Sequence, residues 1–215
     1  MEPEVDRVQD QPVQGKPAMS KAEQDRRAVF EREALPHLDA VYRFALRLAG
    51  AADAAEDLVQ ETYLRGYRSW DQYTVGTRCK SWLFTICRNV YLRQRERKKR
   101  HEEILTEQAL DSPAKLSREN PVFAATQDED PEGDFFKGIV DEEILMAIDN
   151  LQEEYRTAVV LSDLQGLSYQ EIAEVMEVPV GTVKSRLFRG RRQLQARLRD
   201  YATSMGYLSA RRSGE

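Results

Sequence analysis

The chain has 215 residues, of which 32% are charged and 41% hydrophobic, and its formal net charge is −5. This length suffices for one large domain or two small ones. No run approaches a membrane span and the N-terminus lacks an apolar signal core, so we expect a cytoplasmic protein without membrane insertion. Cys79 and Cys87 form neither a disulfide framework nor a C-x-x-C metal site, and both histidines are isolated. We therefore expect no catalytic residue, no metal and no cofactor, and hence not an enzyme.

The N-terminal half is predicted to be helical after a disordered polar tail over residues 1–25. From Arg26, apolar residues recur at three- and four-residue steps and predict an amphipathic helix, which Pro36 kinks or restarts and Gly50 ends. A second helix begins near Ala52, with acids in its first turns, where the helix dipole favours them. Its outer face is acidic and carries Asp53, Asp57, Gln60 and Glu61. On the residues alone, good capping of a solvated helix explains these acids better than a binding surface does.

Residues 70–100 combine aromatic and basic side chains. Trp70 to Cys79 reads as a loop containing Gly76, and Lys80 or Ser81 starts a helix with an inner face of Leu83, Ile86 and Val90. The other faces of this helix carry Trp82, Phe84, Arg88, Asn89, Tyr91, Arg93 and Arg95. Aromatic rings can stack on bases, and neighbouring cations can contact phosphates. This combination of side chains therefore favours binding of single-stranded nucleic acid. Each aromatic taken singly is better explained as core, but the basic run that continues to Arg100 is harder to explain that way.

The segment 101–138 turns acidic, loses periodicity and is interrupted by Pro113, Pro121 and Pro131. It is predicted to be a flexible acidic linker. Such a block is either a solvating segment or a mimic of nucleic acid. The linker separates the N-terminal helical unit, residues 26–100, from a second one at 139–203, and residues 204–215 are expected to fray.

The C-terminal unit contains the most specific pattern in the chain. After two helices that end at Gly166, Ser168 and Glu171 form an S-x-x-E capping box, and Pro179 precedes a second helix running from about Val180 to Arg199. The outer face of that second helix carries Lys184, Arg186, Arg189, Arg191, Arg192 and Arg197. A solvated face usually mixes the two signs of charge, whereas this one is basic only. The pattern predicts a helix-turn-helix whose second helix enters the major groove. The expected fold is all-α, with two small helical domains joined by a flexible acidic linker.

Two blocks of sequence, one on each side of the acidic linker, carry a family resemblance. The block before the linker contains DAAEDLVQETYLRGYRSW and GTRCKSWLFTICRNVYLRQRERKKR. The block after it is LSYQEIAEVMEVPVGTVKSRLFRGRRQL. In this order they resemble the sigma-70 family, specifically the extracytoplasmic-function (group IV) RNA polymerase sigma factors, over roughly residues 28–100 and 139–200. FEREALPHLDAVYRFALRL and the GY-x-x-x-x-R ending look most like the thiol-oxidative-stress branch. The loop at Arg78 and Cys79 departs from that branch, which often has Asn and Leu there.

The resemblance implies a role for each unit. Residues 26–100 would be sigma region 2, which docks on the β′ clamp helices of core polymerase and melts the −10 element. The implied docking residues are Asp53, Glu56, Asp57, Gln60 and Glu61. The implied −10 contacts are Gly76, Lys80, Trp82, Arg88, Asn89 and Tyr91, with a flipped base held near the loop from Gly76 to Cys79.

Residues 139–203 would be sigma region 4, which reads the −35 element and meets the β flap. The implied DNA contacts are Thr182, Lys184, Ser185, Arg186, Phe188, Arg189 and Arg192. The linker would thread toward the RNA-exit channel. A separate anti-sigma factor would hold the protein, and in the thiol-stress branch that partner binds zinc and carries the redox chemistry.

Other functions require features that the sequence does not offer. A helix-turn-helix regulator that acts without replacing the sigma subunit remains the alternative, although a response regulator would carry a βα receiver domain. A pure interaction protein, such as a decoy for an anti-sigma factor, has no use for a basic groove-facing helix. An RNA-binding or nuclease role would require an aromatic sheet or an acidic metal cluster.

Overall fold

The computed structural model describes residues 20–109 and 142–205, with the backbone alone described at 105–109 and at residue 200. Every regular element in these two ranges is helical, which confirms the expected all-α class. The predictions of a disordered tail before residue 20, a flexible linker across 110–141 and fraying after 205 concern residues outside the described ranges.

Four helices build the N-terminal unit: α1 (Lys21–Ala34), α2 (Leu38–Ala49), α3 (Ala52–Arg68) and α4 (Cys79–Ala109). Short 3-10 turns occupy Leu35–His37 and Trp70–Gln72. Pro36 lies in the first of these turns, so it separates α1 from α2 instead of bending one helix. Gly50 ends α2 in the left-handed conformation, with φ of 80°, as the sequence predicted.

Two boundaries of this unit differ from the sequence prediction. The hydroxyl of Ser20 accepts the N–H of Glu23 at 3.2 Å, and the Glu23 carboxylate accepts the N–H of Ser20 at 2.8 Å. This capping box starts α1 inside the segment that we expected to be a tail. Helix α4 also continues to Ala109, nine residues beyond Arg100, where we expected the linker to begin. The residues 101–109, HEEILTEQA, are mostly good helix formers, so no local signal ends the helix there.

The core of this unit lies between α2, α3 and α4. Phe44 and Phe84 are fully buried with ring centroids 4.9 Å apart, and Leu58 and Leu83 are also fully buried. Phe84 therefore belongs to the core, which is the interpretation that the sequence favoured for each aromatic taken singly. Helix α4 is covered on two sides, by α2 and α3 and by a helix of the other unit, so its buried surface is wider than one stripe.

The C-terminal unit contains α5 (Glu142–Asp149), α6 (Glu153–Val159), α7 (Tyr169–Met176), α8 (Val180–Arg197) and α9 (Arg199–Ser204). Helix α6 passes into a π-helical turn at Val160–Leu164, which the sequence did not reveal. Gly166, at φ of 70°, ends this segment as predicted. Val159, Leu161, Ile172 and Leu187 form the centre of the unit.

The two units pack on each other. Helix α4 lies against α7, and α2 lies against α6 and the π-helical turn. Buried apolar side chains of the two units form one continuous cluster. At the edge of this contact, Arg47 of α2 and Asp149 of α5 form an ion pair at 2.5 Å. The arrangement places the loop before α4 beside the helix-turn-helix.

Candidate nucleic-acid interface

The helix-turn-helix consists of α7 and α8. Its capping box is formed as predicted: the Ser168 hydroxyl accepts the N–H of Glu171 at 3.3 Å, and the Glu171 carboxylate accepts the N–H of Ser168 at 2.9 Å. These bonds hold the pKa of Glu171 below its ordinary value. Glu177 ends α7 at φ of 54°, and Pro179 is the N-cap of α8. The turn is therefore three residues long, from Glu177 to Pro179.

Helix α8 turns one face inward and presents most of its predicted DNA contacts to solvent. Val183, Leu187 and Gly190 are buried against the rest of the unit. The exposed members of the predicted −35 set are Lys184, Ser185, Phe188, Arg189 and Arg192. Phe188 has 67% of its surface exposed, an unusual position for a large apolar side chain. The exposed face therefore combines three cations with one ring, a composition suited to DNA phosphates and base edges.

Two residues of the predicted −35 set lie off this face. Thr182 and Arg186 are half-buried, and the Arg186 guanidinium lies 3.7 Å from a Glu154 carboxylate oxygen. Arg186 also borders a cleft that Arg88 and Arg95 of α4 line from the other side. The register thus points Arg186 toward the N-terminal unit.

Arg191, which the sequence grouped with the outer cations, is held by its own unit. Its guanidinium donates to both oxygens of Asp163, at 3.1 and 2.5 Å, and to the Ser162 hydroxyl at 3.0 Å. The bonds to Asp163 raise the pKa of Arg191 above its ordinary value. Arg191 therefore ties α8 to the π-helical turn.

The second predicted surface is the loop before α4 and the first turns of α4. Gly76 has φ of 80°, and its N–H donates to Glu33 of α1 at 3.2 Å. Behind this loop, Trp82 packs on Tyr73 and Trp70 with ring centroids 5.1 and 5.7 Å away. Trp82 is half-buried, so the ring both supports the loop and keeps an accessible edge.

The other members of the −10 set also lie on α4, one before Trp82 and three after it. Lys80, Arg88, Asn89 and Tyr91 are each half-buried. The Lys80 ammonium donates to the Gln165 carbonyl at 2.7 Å, and burial lowers the pKa of Lys80. Burial likewise lowers the pKa of Arg88, with a further contribution from Arg186. Asn89 donates to Glu177 at 3.1 Å. Lys80 and Asn89 of the −10 set thus meet the C-terminal unit, whereas Gly76 and Trp82 contact residues of their own unit.

The structure corrects our expectation for the thiol of Cys79. The sequence placed Cys79 at the end of a loop, before a helix expected to begin at Lys80 or Ser81. Cys79 is instead buried at the first position of α4, and desolvation raises the pKa of its thiol to about 11. Cys87 is fully buried, and burial raises the pKa of its thiol to about 12. Both thiols have the character of inert core residues.

The acidic face of α3 carries the predicted docking residues. Asp53, Glu56, Asp57 and Gln60 are exposed, whereas Glu61 is half-buried and accepts from Arg65 at 2.5 Å. A groove of about 380 Å³ runs beside this face, and α4 contributes Arg93 and Arg97 to its opposite wall. The lining residues shared with the predicted docking set are Asp57, Gln60 and Glu61.

Sequence reasoning missed an apolar surface next to the acidic face. Leu35, Leu38 and Leu64 are each more than 40% exposed and line a second groove with Val59 and Tyr63. The signal available in the sequence was Leu64, an apolar residue on the outer face of an otherwise acidic helix. Exposed leucines grouped in this way are characteristic of protein-binding surfaces.

Among the residues that the structure describes, no cluster of His, Cys, Asp and Glu has the arrangement of a metal site. In the same part of the chain, no helix combines the length and the apolar character that crossing a bilayer requires.

The two halves match two family descriptions. Residues 35–101 match Sigma-70 region 2 and residues 141–194 match Sigma-70, region 4. The ECF RNA polymerase sigma factor EcfG of Rhodopseudomonas palustris is 38% identical over 165 residues, which are 77% of this chain and 81% of that protein. The chain belongs to the extracytoplasmic-function RNA polymerase sigma factors of the sigma-70 family. This confirms the resemblance to the extracytoplasmic-function family that was noted from the sequence.

Other relatives extend the comparison. The ECF RNA polymerase sigma factor SigE of Mycolicibacterium smegmatis is 40% identical over 166 residues, and this chain spans only 58% of the length of that protein. The sigma factor RpoE of Bartonella quintana, solved in complex with the anti-sigma factor NepR, has a TM-score of 0.59 and 29% identity, covering 79% of this chain and 96% of that one. CnrH, solved with the cytosolic domain of CnrY, shares the fold, with a TM-score of 0.52, 19% identity and coverage of 83% and 90%.

Proposed function

We propose that this sigma factor binds core RNA polymerase and directs promoter-specific initiation of transcription. The observation that carries the proposal is the presence, on one chain, of a region 2 match and a region 4 match, the latter with an outward-facing basic helix. In this role the protein supplies recognition and orientation, and the chemistry of RNA synthesis belongs to the core enzyme. The site of action would be the cytoplasm, where the polymerase is.

Core docking would use the acidic face of α3 against the β′ clamp helices. Asp53, Asp57 and Gln60 are exposed and unencumbered by the second unit, and the acids offer charge complementarity to a basic partner. The neighbouring leucines at 35, 38 and 64 would supply the apolar part of the interface. Region 4 would meet the β flap.

Promoter recognition would be divided between the units. The exposed face of α8, with Ser185, Phe188, Arg189 and Arg192, would lie in the major groove of the −35 element. The face of α4 with Lys80, Trp82, Arg88 and Asn89 would hold the unpaired strand of the −10 element, where the ring stacks on a base and the cations follow the phosphates. Gly76 would let the backbone of the preceding loop approach a flipped base closely.

A run-off transcription selection on random promoters tests this function. Core polymerase free of any other sigma factor is combined with the purified protein, and transcripts are sequenced. We expect transcripts from a defined class of templates. A regulator that acts without replacing the sigma subunit would yield none under these conditions, because it requires another sigma factor to start transcription.

We further propose that an anti-sigma factor controls the protein. The RpoE structure was solved in complex with an anti-sigma factor, and that chain is matched over 96% of its length. The finer proposal, from the resemblance to the thiol-stress branch, is that the partner binds zinc and releases the sigma factor on oxidation. The buried, high-pKa thiols of Cys79 and Cys87 support placing that redox chemistry on the partner.

A further inference from the structure

Helix α1 sends three side chains from one face toward the segment between α3 and α4. Arg26, Phe30 and Glu33 are spaced by four and three residues, so they share a face of the helix. Along its 14 residues, α1 buries only Phe30 and Ala34. The region 2 match begins at residue 35, directly after α1 ends. The helix thus contributes little to the core, and its contacts with the segment after α3 point to another role.

Arg26 ties the end of α3 to the turn that follows it. Its guanidinium donates to the Tyr67 carbonyl at 2.8 Å, which is one of the last four carbonyls of α3 and has no regular partner within the helix. The same nitrogen lies 3.3 Å from a carboxylate oxygen of Asp71. A cation is favourable at this position because the C-terminus of a helix carries partial negative charge. Arg26 therefore fixes the direction in which the chain leaves α3.

Phe30 supports the aromatic rings that lie behind the loop. Its ring packs edge-on against Trp70 and Tyr67, with centroids 5.0 and 5.3 Å away. Trp70 in turn contacts Tyr73 and Trp82, with centroids 4.6 and 5.7 Å away. Contacts between rings favour defined orientations, so a displacement of α1 would be passed on through Trp70. The last ring of this series, Trp82, is the one proposed to stack on a base.

Glu33 holds the tip of the pre-α4 loop, as we name residues 74–78. Every residue of this loop is exposed, so packing does little to fix its conformation. The half-buried carboxylate of Glu33 accepts the N–H of Gly76, the residue with positive φ at the tip, at 3.2 Å. Desolvation is the main cause of the raised pKa of Cys79, and the charge of Glu33 adds to it, so the carboxylate also lies near the start of α4. A bond from a backbone N–H to a carboxylate is stronger than a neutral one, and it restricts the loop at its most mobile kind of residue.

We propose that Arg26, Phe30 and Glu33 are positioning residues, which hold the pre-α4 loop in the conformation that selects a base of the −10 element. Glu33 acts most directly, through Gly76. The inference rests on the DNA-binding role proposed above for region 2, and it does not require the three side chains to touch DNA. An exposed loop that is already held in its binding conformation loses less conformational entropy when a base enters. Helix α1 is thus an accessory element of base selection that lies outside the region 2 match.

Hydrogen exchange of the Gly76 N–H in the full chain tests the contact without DNA. Glu33→Ala removes the acceptor, Glu33→Gln keeps an amide oxygen that accepts, and Asp25→Ala removes an exposed acid elsewhere on α1. We expect exchange in Glu33→Ala to be about three- to tenfold faster, the factor that the loss of one hydrogen bond corresponds to. Glu33→Gln and Asp25→Ala should stay near the wild type. Unchanged exchange in Glu33→Ala would overturn the proposal.

A selectivity measurement separates positioning from packing. The probes are a single-stranded oligonucleotide with the −10 element found by the run-off selection and a copy with one base replaced, each bound by the holoenzyme at the same salt concentration. Removing an acid by itself strengthens DNA binding, because phosphates are repelled less, and Asp25→Ala measures this general effect. In Glu33→Ala we expect the ratio of the two affinities to fall about fivefold, as for one lost hydrogen bond, whereas Glu33→Gln should keep it.

The possible outcomes distinguish this inference from the proposed function. An active wild type together with an unchanged ratio in Glu33→Ala would refute the positioning role alone. A wild type that yields no transcripts in the run-off selection would refute the proposed function, whereas the exchange of Gly76 does not depend on polymerase. Circular dichroism checks that each variant is folded, and a folded Glu33→Ala protein with lowered selectivity supports the proposal.

A second pair of variants tests the other end of this face of α1. Arg26→Ala and Arg27→Ala each remove one cation, and Arg27 pairs with Glu31 of its own helix. The two tryptophans of the chain, Trp70 and Trp82, both lie in the aromatic group behind the loop, so intrinsic fluorescence reports on its packing. We expect Arg26→Ala to shift the emission and to lower the selectivity ratio, and Arg27→Ala to leave both unchanged. Shifted emission with an unchanged ratio would show that Arg26 has a packing role and does not position the loop.

Discussion

A Cβ atom placed on Gly190 would lie 2.9 Å from Cγ2 of Val159 and 3.3 Å from Cβ of Tyr155. Helix α8 therefore packs on α6 at a separation that only glycine permits. Val159 is buried and β-branched, so its methyl group has little freedom to move aside. This contact fixes how far the proposed recognition helix projects from its unit.

The close packing predicts opposite effects for two glycine substitutions in α8. Gly190→Ala should lower the free energy of unfolding by about 1–2 kcal/mol, because overpacking outweighs the gain in helix propensity. Gly181→Ala, where the new methyl group meets nothing within 4 Å, should raise it by up to about 1 kcal/mol. Urea unfolding followed by circular dichroism measures both. A stabilised Gly190→Ala protein would show that α6 and α8 can move apart freely.

Assembly with the polymerase is predicted to depend on the α3 acids. Asp57→Lys should weaken binding to core polymerase by about 2–5 kcal/mol, the usual loss when one partner of an interfacial charge pair is removed. Asp25→Lys, at an exposed acid on α1 outside the predicted docking set, is the matched control. Competition binding with labelled core polymerase gives both values. Wild-type affinity in the Asp57 variant would remove α3 from the docking surface.

Arg186 and Arg197 are predicted to contribute differently to recognition of the −35 element. Arg186→Ala is expected to cost about 1–3 kcal/mol and to relax sequence selectivity, if Arg186 turns from Glu154 to a guanine edge in the complex. Arg197→Ala, at an exposed residue in the last turn of α8, should act weakly and equally on all sequences. Promoter-variant binding by the holoenzyme measures both. Equal effects of the two substitutions would place the reading face elsewhere on α8.

Strand opening is predicted to require the ring of Trp82. Trp82→Ala should reduce permanganate reactivity of thymines in the −10 element while binding to −35 duplex is retained, because a stacking surface is lost. The substitution also removes a ring that packs on both Trp70 and Tyr73, so a loss of about 2 kcal/mol in stability is expected. Trp82→Phe is the control that keeps a ring in place. Full thymine reactivity in the alanine variant would leave Trp82 with a packing role only.

The two thiols are expected to resist reagents and to make stability depend on pH. Their pKa values in the folded protein, about 11 for Cys79 and about 12 for Cys87, lie above those of the unfolded chain. The unfolded chain therefore releases these protons first, and stability falls as pH rises from about 9 toward 11. The variant that combines Cys79→Ser with Cys87→Ser should show a smaller fall in stability with pH. The same variant should still bind the anti-sigma partner under reducing conditions, and diamide should still dissociate the complex. If the variant no longer responds to diamide, the sensor lies in this chain.

Local signals in the sequence gave the helices and the helix-turn-helix, but not the contact between the units. The Ser168–Glu171 capping box and the left-handed caps at Gly50 and Gly166 depend on neighbouring residues alone, so they were readable. The same S-x-x-E signal at Ser20 was present and was overlooked within a polar segment. The partnership of Arg78 with Glu174 depends on tertiary packing across 96 residues, which no periodicity encodes.

The π-helical turn and the covering of α4 on two sides could not be predicted, for a related reason. A π turn forms where packing demands an extra residue in a helix, and the sequence VLSDL has no unusual composition. Phe84 is buried because α4 contacts helices on two sides, whereas one inner stripe was assumed. For the candidate site, the residues were identified from the family pattern, and the contacts of Lys80 and Asn89 with region 4 came from the structure.

The covalent connection between the units changes how strong the contacts between them need to be. Ala109 and Glu142 are joined through residues 110–141, a stretch that can span roughly 100 Å when fully extended. The two halves thus meet at an effective concentration that is on the order of millimolar for a short tether. Contacts too weak to hold two separate proteins together are sufficient under this condition. A competing DNA strand or protein has to displace an intramolecular contact. That contact does not depend on the concentration of the sigma factor in the cell.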